Sequence, residues 1–278
     1  MYLVQDALND ARDYYLATRA ATSAHTWCSH AKIIGAAFPG KPLVELTRRN
    51  VQTWLALEGK QFAAATANHR RDFFKSACDM AVEAGHIPLN PVTSVKRLRV
   101  DNRIHRDITQ EEEAQLELHI PAADEWSIVR FAILSGLRRA EQFHLRVEDV
   151  DFARKGIRVK GSKGTRLRWV PLNAEALGIA RIWASLGGPY LFLPGEKGCR
   201  IRVGRLFAYR FAKAVQESGI PKTRWYDLRH AFASRIVQQP DASLYVAQQL
   251  LGHMDPRTTM RYAHLQDRHL RKFTDGLS

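Results

Sequence analysis

Cysteine is scarce in this 278-residue chain, and long apolar runs are missing from it. The three cysteines, Cys28, Cys78 and Cys199, stand apart with no C-x-x-C spacing, which argues against a disulfide framework or a zinc cluster and fits a reducing compartment. No segment approaches the roughly 18 apolar residues needed to span a bilayer. The opening MYLVQDALNDARDYYL carries Asp6, Asp10 and Asp13 inside its apolar pattern, so it reads as an amphipathic helix rather than a signal peptide. A soluble, cytoplasmic protein is expected. Internal repeats and low-complexity tracts are also lacking. Acidic residues are the minority charge, 28 against 42 basic, for a net +14. That balance points to a polyanionic partner, most simply nucleic acid, with salt-sensitive binding, although ribosomal association or non-specific stickiness would give the same charge.

With 45% hydrophobic and 25% charged residues the chain is no disordered polymer, and its length allows one large domain or two ordinary ones. Residues 1–90 show only helix-like periodicity, and 1–94 are expected to form a helical DNA-binding domain. Leu3/Val4, Ala7/Leu8, Ala11 and Tyr14/Tyr15 recur at three-to-four spacing. Further helices are expected from Thr26 to Ala37, from a Thr47 cap onward, and from Ala64 to Ala84 with Gly85 as a stop. Residues 95–106 belong to a stretch with five Lys/Arg and one acid and read as a basic interdomain linker lying along a DNA backbone.

From 107 to 278 the pattern is mixed. Thr109 with Glu111–Glu113 marks a helix start, and Ser135-Gly136-Leu137 separates two helices. Ile157–Val159 and Leu167–Val170 flank a Gly161-Ser162-Lys163-Gly164 turn, as in a β-hairpin. Asp255-Pro256 opens a last helix with Tyr262 in its second turn. The expected fold is therefore mainly α, of the α+β class: an all-helical domain followed by a domain of helices with a small antiparallel sheet.

Metal-free cleavage of a phosphodiester needs a nucleophile, cations on the equatorial oxygens and an acid for the leaving sugar oxygen. Guanidinium suits the second task and ammonium the third. A phenol suits the first when the product must be a stable, reversible ester. The chain offers these groups in a distinctive order. LSGLRRAEQFHL (134–145), Lys163 in its hairpin turn with Pro171 eight residues on, WYDLRHAFAS (225–234) and LLGHMDPRTTMRYAH (250–264) resemble, in sequence, the signatures of the tyrosine recombinases of the phage-integrase family. AGHIPLNPV (84–92) resembles the end of that family's core-binding domain.

The resemblance implies that Arg138 and Arg229 clamp the scissile phosphate and that Lys163 protonates the leaving 5′ oxygen. His253 would hydrogen-bond the phosphate, and Tyr262 would form a 3′-phosphotyrosyl bond. Glu141 matches an acid that orients active-site side chains, and His230 matches a histidine read as structural. Neither ATP, metal nor other cofactor is required. The partners implied are double-stranded DNA and three further copies of the chain on that DNA, with a monomer in solution, nucleoid association during action, and accessory directionality or DNA-bending proteins.

One position departs from the family pattern. Its H-x-x-R signature has Tyr226 in place of the histidine. A phenol with a pKa of about 10 is a poor base near neutrality, so Tyr226 is expected to donate to the phosphate while the Tyr262 proton passes to water or phosphate oxygen. Candidate DNA contacts are Arg70, Arg71, Lys96, Arg97, Arg99, Arg139, Lys160, Arg166 and Arg168. Phe62, Phe73 and Phe74 beside Arg70 and Arg71 read as core residues rather than stacking platforms. His253, His264 and His269 lack a Cys or carboxylate to complete a metal set. Two rival readings use the same residues. One is a type IB topoisomerase-like enzyme, against which AGHIPLNPV and the short segment after Tyr262 argue. The other is a DNA-binding regulator that has lost catalysis, supported only by Tyr226.

Overall fold

The structure is a computed structural model that describes residues 1–18, 24–100, 107–160, 167–192, 199–239 and 242–266, with the side chains of 199–206 and 266 left aside. The chain divides into two units, Met1–Arg103 and Ile104–Ser278. The first, where described, is helical, and the second carries helices around a small antiparallel sheet.

The first unit packs α1 (Val4–Thr18), α2 (Ala24–Ala37), α3 (Arg48–Gln61) and α4 (Ala64–Glu83). The apolar stripe of α1, Val4, Ala7, Leu8, Ala11 and Tyr15, is buried as its periodicity requires. Thr47 caps α3, its hydroxyl accepting from Asn50 N–H at 3.2 Å while Asn50 Oδ1 accepts from Thr47 N–H at 3.0 Å. Phe73 and Phe74 enter the core, whereas Phe62 is exposed.

Two expectations for this unit need correction. Arg70 and Arg71, taken as phosphate contacts, are both buried. Arg70 pairs with Glu58 and lies over the Phe62 ring. Arg71 donates to the carbonyls of Val92 (3.1 Å) and Val95 (2.6 Å). Both share the inward half of α4 with Ala67 and Phe74, so their stems bury and their forks turn to internal partners, with Arg70 Nε left buried and unbonded. The linker also begins later than residue 95. Val95 lies in the core, Leu98 packs on it, and Asn68 clasps the Leu98 backbone through two hydrogen bonds of 2.9 and 2.8 Å. Lys96, Arg97 and Arg99 remain exposed, Arg97 being paired with Asp72 at 2.7 Å.

The second unit runs α5 (Gln110–Leu118), α6 (Ala123–Ser135), α7 (Arg139–Phe143), β1 (Val150–Asp151), β2 (Gly156–Val159), β3 (Arg168–Pro171), α8 (Ala174–Ser185), α9 (Cys199–Glu217), α10 (Trp225–Val237), α11 (Leu244–Leu251) and α12 (Arg257–Met260). Strand order is β1-β2-β3, all antiparallel, with Ile157 opposite Val150 on one side and Val170 on the other. The short β1 has no counterpart in the sequence reading. The β2–β3 turn, with Lys163 and Arg166, lies outside the described residues, as do residues 101–106 of the linker, and His269.

A large core built on α5, α6, the sheet, α8, α9 and α10 includes Phe131, Ile133, Leu137, Ile157 and Leu191. A separate small cluster holds Phe232, Ala233, Val237, Ala247, Leu251 and Tyr262. Two helices end on a left-handed glycine, α6 at Gly136 (φ 62°) and α11 at Gly252 (φ 65°). A Cβ at Gly136 would stand 2.3 Å from the Phe232 ring, so the turn needs glycine for space as well as for its backbone. Tyr262 lies just past α12, its N–H bonded to Thr259 O at 3.0 Å, instead of in the second turn of a longer helix.

Candidate active site

The C-terminal end of α11 organises the site. A helix leaves its last carbonyls unpaired and carries partial negative charge there, so cations dock on it. Three consecutive carbonyls each take one guanidinium. Leu250 O accepts from Arg168 Nε at 3.1 Å, Leu251 O from Arg229 Nη2 at 2.6 Å, and Gly252 O from Arg138 Nη2 at 3.4 Å. Arg229 also donates through Nη1 to Gly136 O at 2.7 Å, so it bridges the glycine ends of α6 and α11.

Glu141, on α7, ties the same three side chains together from below. Its carboxylate accepts from Arg138 N–H and Nη1, both at 2.8 Å, and from Arg168 Nη1 and Nη2 at 3.0 and 2.7 Å. Arg229 Nη1 stands 3.9 Å from it. Burial pushes the Glu141 carboxyl upward, but the Arg168 fork and the Arg138 bonds win and hold it at about 2. Burial and the neighbouring Arg138 lower the Arg229 guanidinium to about 10, which still leaves it charged at neutrality. Three guanidiniums thus surround one carboxylate, a surplus of positive charge suited to an anion. The Arg138 side chain, 32% exposed, is the open one of the three, against 3% for Arg229 and 9% for Arg168. A cavity of about 370 Å³ beside it is lined by Arg138, Glu141, His144, Arg158 and Lys160, with Lys160 also 3.2 Å from Asp149.

His253 follows Gly252 directly. Its Nδ1 is a hydrogen-bond partner of the Thr259 hydroxyl at 2.8 Å. Burial, then Arg229 and Arg138, push the imidazole down to about 3, so it is neutral at physiological pH and its other nitrogen can serve an anion only as a neutral donor. Tyr262 is 3% exposed, and burial raises its phenol above the usual range, with Tyr226 adding to the rise and Arg261 and Arg229 opposing it. Its hydroxyl is the hydrogen-bond partner of His230 Nδ1. Tyr226 is 44% exposed, one turn before His230 on α10, with its ring edge-on to the imidazole at 4.7 Å.

The structure therefore brings Arg138, Glu141, Arg229, His253, Tyr226, His230 and Tyr262 together. Arg139 sits outside on the exposed face of α7, its guanidinium 5.8 Å from the Phe143 ring. One expectation is corrected. Arg168, an expected DNA contact, is half-buried with its side chain 9% exposed, and its fork is spent on Glu141 as that carboxylate's main partner. Sequence reasoning missed two further participants. Thr259, buried behind His253, gives no signal in the sequence. His230 was visible but read as scaffolding. Such an array can receive a phosphodiester on its arginines and offer it a phenol nucleophile.

Residues 107–269 match the phage integrase family. The chain is 31% identical to the tyrosine recombinase XerC of Xylella fastidiosa strain M23, over 94% of this chain and 93% of that protein. It is 28% identical to XerC of Mycobacterium sp. strain KMS, over 97% and 98%. Among solved structures it is similar to lambda integrase residues 75–356 bound as a dimer to a COC′ core site, with a TM-score of 0.78, 20% identity and coverage of 94% and 96%. It is also similar to the Tn1549 transposon integrase in complex with a circular intermediate DNA, with a TM-score of 0.81, 17% identity and full coverage of both chains. The chain belongs to the phage integrase family and is a tyrosine-type site-specific recombinase.

Proposed function

We propose that this protein exchanges strands between two DNA duplexes by transesterification at Tyr262. The phenol attacks the scissile phosphate, a 3′-phosphotyrosyl bond forms, and a 5′ hydroxyl of the partner strand later displaces the tyrosine. The ester keeps the energy of the original bond, so ATP and metal are dispensable. Arg138 and Arg229 hold the phosphate oxygens, Glu141 and Arg168 hold the arginines, neutral His253 donates to the phosphate, and Lys163 protonates the leaving 5′ oxygen. Tyr226, exposed at the rim, donates to the phosphate. The helical unit grips DNA, Lys96, Arg97, Arg99, Arg139, Lys160 and Arg166 contact its backbone, and four copies act together, with accessory DNA-bending or directionality proteins as further partners. The action takes place on DNA in the cytoplasm, at the nucleoid.

The observation that carries this reading is the surplus cationic cluster of Arg138, Arg168 and Arg229 around the single Glu141 carboxylate, next to a buried phenol. The test is to incubate the protein with a pool of nicked suicide duplexes and sequence the DNA left attached. Adducts that vanish in Tyr262→Phe and persist in EDTA are expected. Adducts that survive that substitution, or that need a divalent ion, would overturn the assignment.

A further inference from the structure

The reaction leaves one proton to be accounted for, that of the Tyr262 phenol. Tyr226 is a poor acceptor near neutrality, and burial works against a free phenolate at Tyr262. A general base must lie within hydrogen-bond reach of the proton it takes. His230 satisfies that condition. Its Nδ1 meets Tyr262 Oη, and the residue is 2% exposed on α10, the helix whose Arg229, one position earlier, donates to Gly136 O and Leu251 O. Residues 226 and 230, four apart, share one face of α10, and the edge of Tyr226 fixes the tilt of the imidazole at 84° between the ring planes. Imidazole is the side chain whose ordinary titration range brackets neutrality.

We propose that His230 is the general base of strand cleavage and the general acid of rejoining at Tyr262. This deepens the transesterification reading and rests on it. In cleavage, the Oη–H bond breaks as Oη bonds to phosphorus, and the proton passes to Nδ1, giving an imidazolium. The P–O5′ bond breaks at the same time, and the leaving oxygen takes its proton from the Lys163 ammonium. In rejoining, the 5′ hydroxyl attacks phosphorus and returns a proton to Lys163, while the departing phenolate recovers its proton from His230. No electrons are transferred and no other reagent is consumed. Facing this pair are Tyr226 and Arg229 from α10, His253 after α11, Arg261 after α12, and Asp107, which accepts from Ser234 at 2.7 Å.

The test uses the full chain and the nicked duplex recovered from the adduct pool, under single-turnover conditions. His230→Asn, checked for an unchanged thermal midpoint, is expected to cleave about a hundredfold more slowly or worse. A more acidic fluorinated tyrosine at position 262 should restore most of that loss, because a better leaving proton needs less base. A duplex with a bridging sulfur at the 5′ position should rescue Lys163→Ala and leave His230→Asn slow. Cleavage by His230→Asn at or above the normal rate would show the contact to be a resting latch and overturn the proposal, as would loss without fluorotyrosine rescue. If the unsubstituted protein forms no adduct, the underlying reading has failed, and the pair is then read in the free protein by ¹⁵N NMR of the imidazole. An unprotonated Nδ1 that shifts in Tyr262→Phe supports a base poised on the phenol. A protonated Nδ1 rejects it.

Discussion

Both units bury arginines beside a glutamate, yet the two clusters are built to opposite ends. In the helical unit Arg70 meets Glu58 one to one and Arg71 spends its donors on the Val92 and Val95 carbonyls. Charge is matched, Arg70 by Glu58 and Arg71 by Asp72 at 3.1 Å, and of the Arg70 fork Nε alone stays buried without a partner. In the second unit Glu141 faces Arg138, Arg168 and Arg229. The excess is tolerated because α11 and α6 lend carbonyl ends, and it is what an incoming phosphate would relieve. A buried arginine is therefore structural when its partners balance it and functional when they fall short.

The strongest way to break this contrast is a matched substitution. Arg229→Lys should slow single-turnover strand cleavage by about 10³-fold, since an ammonium cannot span Gly136 O and Leu251 O and still address an anion. Arg70→Lys should leave the cleavage rate of the folded protein unchanged. Removing the carboxylates comes next. Glu141→Gln strands three cations and should cost about 4 kcal/mol in urea unfolding, while Glu58→Gln strands one and should cost about 3. Added sulfate should recover part of the first loss and none of the second, and equal recovery in both would erase the distinction.

A smaller effect concerns pH. His253 has a folded pKa of about 3, below the ordinary value near 6.5. Between these values the unfolded chain binds a proton that the folded one refuses, so its contribution is complete above about pH 6.5 and is lost as pH falls toward 3. Glu141, depressed to about 2, adds a loss that begins as pH falls through the ordinary carboxylate range and is complete near 2. Denaturant midpoints taken at pH 7 and pH 5 should therefore differ less in His253→Gln than in the unsubstituted protein. The smallest effect should come from the exposed Arg97–Asp72 pair, where Arg97→Ala is expected to change stability by under about 1 kcal/mol.

Local signals were legible in the sequence wherever one residue dictates one geometry. Thr47 and Thr109 cap their helices, and Gly136 and Gly252 end theirs in left-handed turns. The spacing of Arg138, Arg229, His253 and Tyr262 singled out side chains that the fold gathers. What stayed hidden depends on tertiary burial. Arg70, Arg71 and Arg168 look like any surface cation until the inward faces of α4 and β3 are known. Val95 and Leu98 sit in a basic stretch whose charges point outward while these two point in. Tyr262 falls beyond α12 because after Met260 the backbone bonds tighten to three-residue spacing, Tyr262 N–H to Thr259 O and Leu265 N–H to Tyr262 O, a boundary that periodicity does not locate. His230 differs from a scaffolding histidine only by the partner it faces.

The three carbonyls that end α11 take Arg168, Arg229 and Arg138 in strict succession, one residue to one arginine. The helix therefore works as a gauge. Adding or deleting a single residue within Leu244–Leu251 would rotate its last turn by about 100° and misalign all three arginines at once. Length in this segment is thus fixed more tightly than composition, and exposed positions such as Tyr245 can vary in kind where none can vary in number.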